Sequence, residues 1–238
     1  MFPQELFLAG VKAMNLQIDG QKLEQFKIYF KLLLEWNKRI NLTRITQPEE
    51  VVTKHYLDSF ASAKLLSFRG GERVCDVGAG AGFPGIPLKI LFPQIHLTLM
   101  ESQKKRVFFL NTLIKELGLS ETEALHGRAE ELGQNANYRE TYDKVLARAV
   151  APLTVLLELS LPLAAVGGLF IAYKGPKASE EVREAQKALE ILGGEIELME
   201  GLKIPFQKEK RTIVIIGKKT KSPVKYPRRP GVPEKKPL

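Results

Sequence analysis

Between Gln21 and Ile40 the apolar residues Leu23, Phe26, Phe30, Leu33 and Ile40 recur at steps of three, four and seven, which sets them on one face of a helix. Leu32, Leu34 and Trp36 widen that face, as a helix packed on two sides requires. Further on, Thr46-Gln47-Pro48-Glu49 predicts a capping box, with Thr46 as the cap and Glu49 reaching back. The helix it opens is expected to run, with or without a break, through His55 and Asp58 to Leu66. Residues 1 to about 68 therefore read as a helical segment, and Phe68-Arg69-Gly70-Gly71-Glu72 as a turn out of it.

From Arg73 the period changes. Short apolar runs bounded by turn residues alternate with helical stretches, the pattern of a mainly parallel sheet covered on both faces. Predicted strands cover 74–77, 96–100, 123–126, 144–147, 169–173, 195–201 and 212–216. Predicted helices cover 84–92, 104–117, 151–163 and 180–192. No helical stretch separates the last two strands, so they are expected to pair antiparallel at one edge. The chain divides into a helical cap (1–70), an α/β domain (71–218) and a basic tail (219–238). Five of the 14 prolines fall in that tail, at Pro223, Pro227, Pro230, Pro233 and Pro237, a density that predicts an extended segment rather than a folded one.

Composition narrows the class. The chain has 238 residues, 44% hydrophobic and 26% charged, enough for one large core or for one domain and a smaller one. No apolar run approaches the roughly 18 residues of a membrane span, and the N-terminus lacks the basic-then-apolar order of a secretory signal; a cytoplasmic protein is expected. Cys75 is the only cysteine, lies in an apolar strand and reads as a buried structural thiol. His55, His96 and His126 show no metal-ligand spacing, and no metal site is predicted. The net charge is +9, of which the last 21 residues, with eight basic side chains and Glu234 alone opposing them, carry +7. Such a tail suits nucleic-acid phosphates, with Lys225, Arg228 and Arg229 as contacts, or serves as a solubilising end.

The chemistry concentrates in Val74-Cys75-Asp76-Val77-Gly78-Ala79-Gly80-Ala81-Gly82-Phe83-Pro84-Gly85, a strand, a glycine turn and a helix start. Glycine lets a nucleotide-like ligand lie against the main chain. The stretch Gly80 to Gly85 satisfies G-x-G-x-x-G, and Glu101 follows about 20 residues on, where a ribose-binding acid is expected. A dinucleotide, an adenosyl ligand and a purely structural turn all remain open on the glycines alone. Asp76 and the Phe83-Pro84 entry favour the adenosyl ligand: a strand-end acid attracts the ammonium of S-adenosylmethionine and repels a pyrophosphate. The expected donor contacts are Asp76, Gly78, Gly80, Gly82, Phe83, Glu101, the main chain at Ala129 and Glu130, and Arg148. Glu130 and Glu131 also read as first-turn acids favouring a helix dipole.

The fourth strand ends at Arg148, where many base methyltransferases place a carboxylate, an Asn-Pro-Pro-Tyr-like run or a cysteine. Guanine N7 has a free lone pair and no proton, so its methylation needs alignment and desolvation but no general base. Arg148 is suited to guanine O6, a phosphate or the donor carboxylate, with a surface cation as the plain alternative. Lys174 reads as a second positioning cation and an RNA-backbone contact. Lys104, Lys105 and Arg106 start a helix whose dipole they oppose, which implies an anionic partner.

These residues resemble the glucose-inhibited division protein B family. The resemblance rests on Asp76 to Leu88, on Trp36-Asn37-Lys38, Asn41-Leu42-Thr43 and His55-Tyr56-Leu57-Asp58-Ser59 upstream, and on Arg128 to Glu131, Ala147-Arg148-Ala149, Lys174-Gly175 and Tyr226 to Gly231 downstream. It implies a class I methyltransferase fold, Rossmann-like with a seven-stranded mostly parallel sheet behind a helical cap. It also implies an S-adenosylmethionine-dependent enzyme acting on guanine N7 in small-subunit (16S) rRNA, working as a monomer. Its donor contacts fall on Gly78, Phe83, Ala129-Glu130 and Arg148, and Ala147 stands where serine is expected. A nicotinamide oxidoreductase and a non-catalytic RNA-binding assembly factor are the rival readings.

Overall fold

A computed structural model describes all 238 residues. The chain opens with α1 (Gln4–Ala13) and α2 (Gly20–Ile40), then a single turn, α3 (Pro48–Glu50), which widens into a π-helix (Val51–Leu57) before a 3₁₀ segment (Phe60–Lys64). Seven strands follow: β1 (Arg73–Val77), β2 (His96–Glu101), β3 (Thr122–His126), β4 (Tyr142–Arg148), β5 (Ala164–Lys174), β6 (Gly194–Lys203) and β7 (Lys210–Lys218). Between them lie α4 (Gly85–Leu91), α5 (Lys104–Glu116), α6 (Ala129–Leu132), α7 (Leu153–Ser160), α8 (Ala178–Glu184) and α9 (Gln186–Leu192), and α10 (Val232–Lys235) comes last.

Every expected strand is present. The expected helix over 180–192 is two helices meeting at Ala185. The capping box at Thr46 does not form: the helix starts one residue later, with Gln47 as an unbonded cap and Pro48 in the first turn, where its missing N–H costs nothing. The long helix expected after it is replaced by the π-helix and 3₁₀ segment, within which the Thr53 hydroxyl donates to the Glu49 carbonyl at 2.9 Å.

The sheet order is β3-β2-β1-β4-β5-β7-β6. The first five strands are parallel, and β7 runs antiparallel between β5 and β6. The order reverses between β1 and β4, so a crevice opens at their carboxyl ends. Side chains alternate between the two faces, as a strand period of two requires. Leu146, Ile171, Tyr173, Ile213 and Ile215 face one core of 36 buried residues, shared with α1, α2, the π-helix, α4 and α5. Val145, Ala147, Phe170, Ala172, Val214 and Ile216 face a second core of 24 with α7 and α9. The helical cap is thus one side of the first core. Cys75 is buried in the second, and burial pushes its thiol pKa up.

The C-terminal tail corrects an expectation: it is not a free extended segment but folds back over α6 and α7. Arg139 donates to the carbonyls of Gly133, Ser222 and Tyr226, and the Gln134 amide to that of Pro227. Tyr226 is buried in the second core. Arg228 meets Glu158, 1% exposed on α7, through Nε and Nη2 at 2.6–3.1 Å, and the Gly231 amide donates to Glu130 at 3.0 Å. Lys218, counted above with the tail's cations, is also buried, donating to the Leu192 carbonyl with Glu140 3.6 Å away. The physical reason is Glu158: a carboxylate inside a leucine-rich helix needs a cation, and the tail supplies it.

Replacing that cation, Arg228→Met, is expected to lower the unfolding free energy by about 3 kcal/mol, the lower end for stranding a buried charge. Chemical denaturation measures it; an unchanged midpoint would mean the tail does not brace the second core.

Candidate functional site

The glycine turn leaves β1 at the crevice. Gly78, Gly80 and Gly82 all have positive φ (71°, 58° and 96°). At Gly78 the requirement is doubled, because a Cβ there would also come within 2.8 Å of Val150 on the loop after β4. At Gly82 it would meet Ile86 and the Tyr29 hydroxyl at 2.9 Å. The amides of Gly78 and Ala79 donate to the Met100 carbonyl on β2 at 2.9 and 3.0 Å, fixing the turn to its neighbour strand.

Asp76 is fully buried. One carboxylate oxygen, Oδ2, accepts from the Gly85 amide at 2.8 Å; the other, Oδ1, has no partner. Burial raises its pKa to about 7, opposed by the Gly85 hydrogen bond and by Arg148. A buried acceptor without a donor is a costly arrangement that a cationic ligand would relieve. Glu101, at the end of β2, accepts from the amides of Gly80 (3.0 Å) and Gln103 (2.8 Å), with Arg106 3.8 Å away. It ties the turn to the second strand and keeps lone pairs free for hydroxyl donors. Past β3, Glu131 reaches back to the Arg128 amide as a first-turn acid, and Glu130 holds the tail, so the main chain at Ala129 and Glu130 is fastened from behind.

At the exit of β4 the structure assembles a cluster that crosses from the cap to the sheet. The Arg148 guanidinium lies 5.1 Å from the centre of the Phe83 ring and donates through Nη1 to Asp58 Oδ2 at 2.8 Å. Asp58 is fully buried and accepts from Arg211 Nε on β7 through its other oxygen at 2.6 Å. His55 stacks on Phe83 (centroids 4.4 Å apart, planes 11° off parallel), and Tyr29 also stacks on Phe83 (5.1 Å, 15°). Burial and the neighbouring Arg148 lower the His55 pKa to about 3, so the ring is neutral. With Arg148 Nη2 3.3 Å from Nδ1, the proton is assigned to Nε2, which meets Thr43 Oγ1 at 2.9 Å. Ala149, next along, has φ 56°, a strained value for a residue with a Cβ, and turns the chain toward Val150 over Gly78.

Several expected contacts have partners within the protein. Arg148 is held by Asp58, His55 and Phe83, so its cation supports the crevice wall. Lys174 is buried, paired with Glu181 at 2.6 Å and donating to the Ala151 carbonyl at 3.0 Å; Glu181 also caps the Leu153 amide at 2.7 Å. Lys174 therefore fixes the loop after β4. Arg228 serves the tail, and Arg106 lies against Glu101. Lys104, Lys105, Lys225 and Arg229 are exposed. Sequence reasoning gave no role to Tyr29, His55, Asp58 or Arg211. Its available signal was His55 and Asp58 three residues apart, on one face of the helical segment it predicted. No group of three His, Cys, Asp or Glu side chains is arranged to hold a metal ion.

The sheet order, the glycine turn after β1 and the acid after β2 make this a class I methyltransferase fold. Solved structures agree. An S-adenosylmethionine-dependent methyltransferase from Aquifex aeolicus matches with a TM-score of 0.54 at 18% identity, over 74% of this chain and 96% of its own. TYW2 of M. jannaschii, solved in complex with AdoMet, matches at 0.54 and 16%, over 73% and 77%. The sequence narrows the class further. The family model described as GidB, rRNA small subunit methyltransferase G, matches residues 22–214. Relatives named ribosomal RNA small subunit methyltransferase G are 50% identical in Bacillus cereus (strain B4264), over 98% of both chains, and 49% identical in Lactobacillus acidophilus, over 100% of both. The chain belongs to the GidB family of small-subunit rRNA methyltransferases.

Asp58→Asn removes the charge shared by two guanidinium groups. It is expected to destabilise the protein by about 3 kcal/mol, a fall in Tm of roughly 6–12 °C for a chain of this size. The loss should shrink when Arg148→Met is added, the coupling that a double-mutant cycle reads; additive losses would mean the pair does not act as a unit.

Proposed function

We propose that this chain, acting as a monomer in the bacterial cytoplasm, transfers a methyl group from S-adenosylmethionine to N7 of a guanine in a hairpin loop of the decoding region of 16S rRNA. One observation carries the choice of acceptor: the carboxylate and the imidazole that meet Arg148 at the exit of β4 are already committed. Asp58 lies between two guanidinium groups, and His55 presents its unprotonated nitrogen to Arg148. An acceptor nitrogen with a free lone pair and no proton to lose suits such a site, because it needs none of these groups as a base.

The donor supplies an electrophilic methyl on a sulfonium. Asp76 is suited to its ammonium, Glu101 to ribose hydroxyls, and the main chain at Ala129 and Glu130 to the adenine edge, against the glycines and Phe83. Arg148 and Lys174 are positioning residues: the first holds Phe83 against the cap, the second the loop that carries Val150. Alignment and exclusion of water by the aromatic wall supply the rate. The site fits a cation better than a pyrophosphate, since Asp76 would lie unpaired against negative charge.

Mapping N7-methylguanine in 16S rRNA by borohydride–aniline cleavage in a deletion strain tests the acceptor; an unaltered cleavage pattern would sink the reading. Gly78→Trp, which fills the turn, is expected to abolish donor binding in calorimetry, and tight NADH binding by the wild type would favour the oxidoreductase instead.

The raised pKa of Asp76 sets a pH dependence. A cation binds the ionised carboxylate, so donor affinity is expected to rise about tenfold per pH unit below pH 7 and to level above it. Asp76→Asn should flatten the profile. In the same window the ligand-free protein loses stability as pH rises, because the folded state keeps a proton that the unfolded chain has released.

A further inference from the structure

Away from the crevice, α2 and α5 present two aromatic rings side by side. Trp36 and Phe108 have centroids 5.6 Å apart, and Trp36 also meets Phe109 at 5.8 Å. Phe108 is 65% exposed, more than any other aromatic side chain of the protein. Trp36 is half-buried and backs it, so the pair forms a supported, solvent-facing ring rather than a loose one.

Cations flank this ring, two of them without an acidic partner. Lys104 and Lys105 precede Phe108 by four and three residues, which puts them on its face of α5. Both are exposed, neither has a carboxylate within 4 Å, and the first turn of α5 contains no acid. They stand at the end of the helix dipole that repels cations. From α2, Arg39 lies one turn beyond Trp36, touching only Glu35 at 4.0 Å.

The patch adjoins the crevice on both helices. α5 begins three residues after Glu101, and Arg106 lies 3.8 Å from that carboxylate. On α2, Trp36 follows Tyr29, which stacks on Phe83, by seven residues, about 10 Å along the axis. A chain whose target base enters the crevice would run its neighbouring nucleotides over this surface.

We infer that Phe108, backed by Trp36, is a stacking platform for an unpaired base flanking the target nucleotide, with Lys104, Lys105 and Arg39 on the adjoining phosphates. Single-stranded RNA is held by this combination: aromatic faces take bases whatever their sequence, and lysines track the backbone. The inference rests on the rRNA reading above.

The test uses small subunits purified from a strain lacking the enzyme, and the full-length protein. Phe108→Ala is expected to raise the KM for subunits about 5- to 150-fold, the range that follows from 1–3 kcal/mol of base stacking, and to leave the affinity for S-adenosylmethionine unchanged. Phe108→Tyr should restore the KM and Phe108→Leu should not. The double change Lys104→Ala with Lys105→Ala should raise the KM and lessen its salt dependence. A photoreactive phenylalanine analogue at position 108 should cross-link to rRNA. Full activity of Phe108→Leu, a normal KM for Phe108→Ala, or cross-linking to a ribosomal protein would each overturn the platform while leaving the methyltransferase reading intact. Failure of the wild type to methylate these subunits would overturn both.

Discussion

The rest of the site depends on one constraint: the carboxylate of Asp58 lies out of water and must be compensated. Two guanidinium groups do so, Arg148 from the end of β4 and Arg211 from β7, while Asp58 itself follows the π-helix of the cap. Attraction at this depth is strong only while the geometry is kept, and removal of one member strands the others. The cap is therefore registered on the sheet by charge as well as by apolar packing. Because Arg148 also lies against Phe83, the same ion pair sets the wall beside the glycine turn. The π-helix has a part in this: the carbonyls of Lys54 and His55 both lie 3.4 Å from the Arg148 guanidinium. Such wide turns concentrate at functional sites.

Much of this architecture was legible in the sequence, and the exceptions have physical causes. The strands were readable as short apolar runs or, at the edges, as apolar residues alternating with polar ones, between turn residues, and the antiparallel edge followed from the missing helix before β7. The Asp76 to Gly85 stretch located the turn, since its three positive-φ positions are the ones glycine fills. The cap was harder. The capping box at Thr46 predicts a helix, with or without a break, to Leu66, yet the helix starts at Pro48 and takes a π-helical course where it meets Phe83 and Arg148. Local pattern does not encode a choice made by partners as far as 93 residues away in sequence.

The tail shows the same limit from the other side. Prolines and a net positive charge describe an extended, solvated segment, and composition gives no hint of Glu158, a single acid in the apolar run Leu153–Ser160. Sequence counting treats Lys174, Lys218 and Arg228 as surplus cations, whereas each faces a carboxylate of the fold, half-buried at Glu181 and Glu140 and fully buried at Glu158. The charge left for a polyanion is smaller than the formal +9 implies, and it lies on exposed residues such as Lys104, Lys105, Lys225 and Arg229.

The folded-back tail has a consequence for how the protein is made. Chains fold from their N-terminal side as they emerge from the ribosome, and here the first core is complete once β7 has appeared. The second core is not: Glu158 waits for Arg228, and Glu130 for the amide of Gly231, both of which follow β7 in the chain. The main chain at Ala129 and Glu130, beside the crevice, thus acquires its brace only after every strand of the sheet has been made.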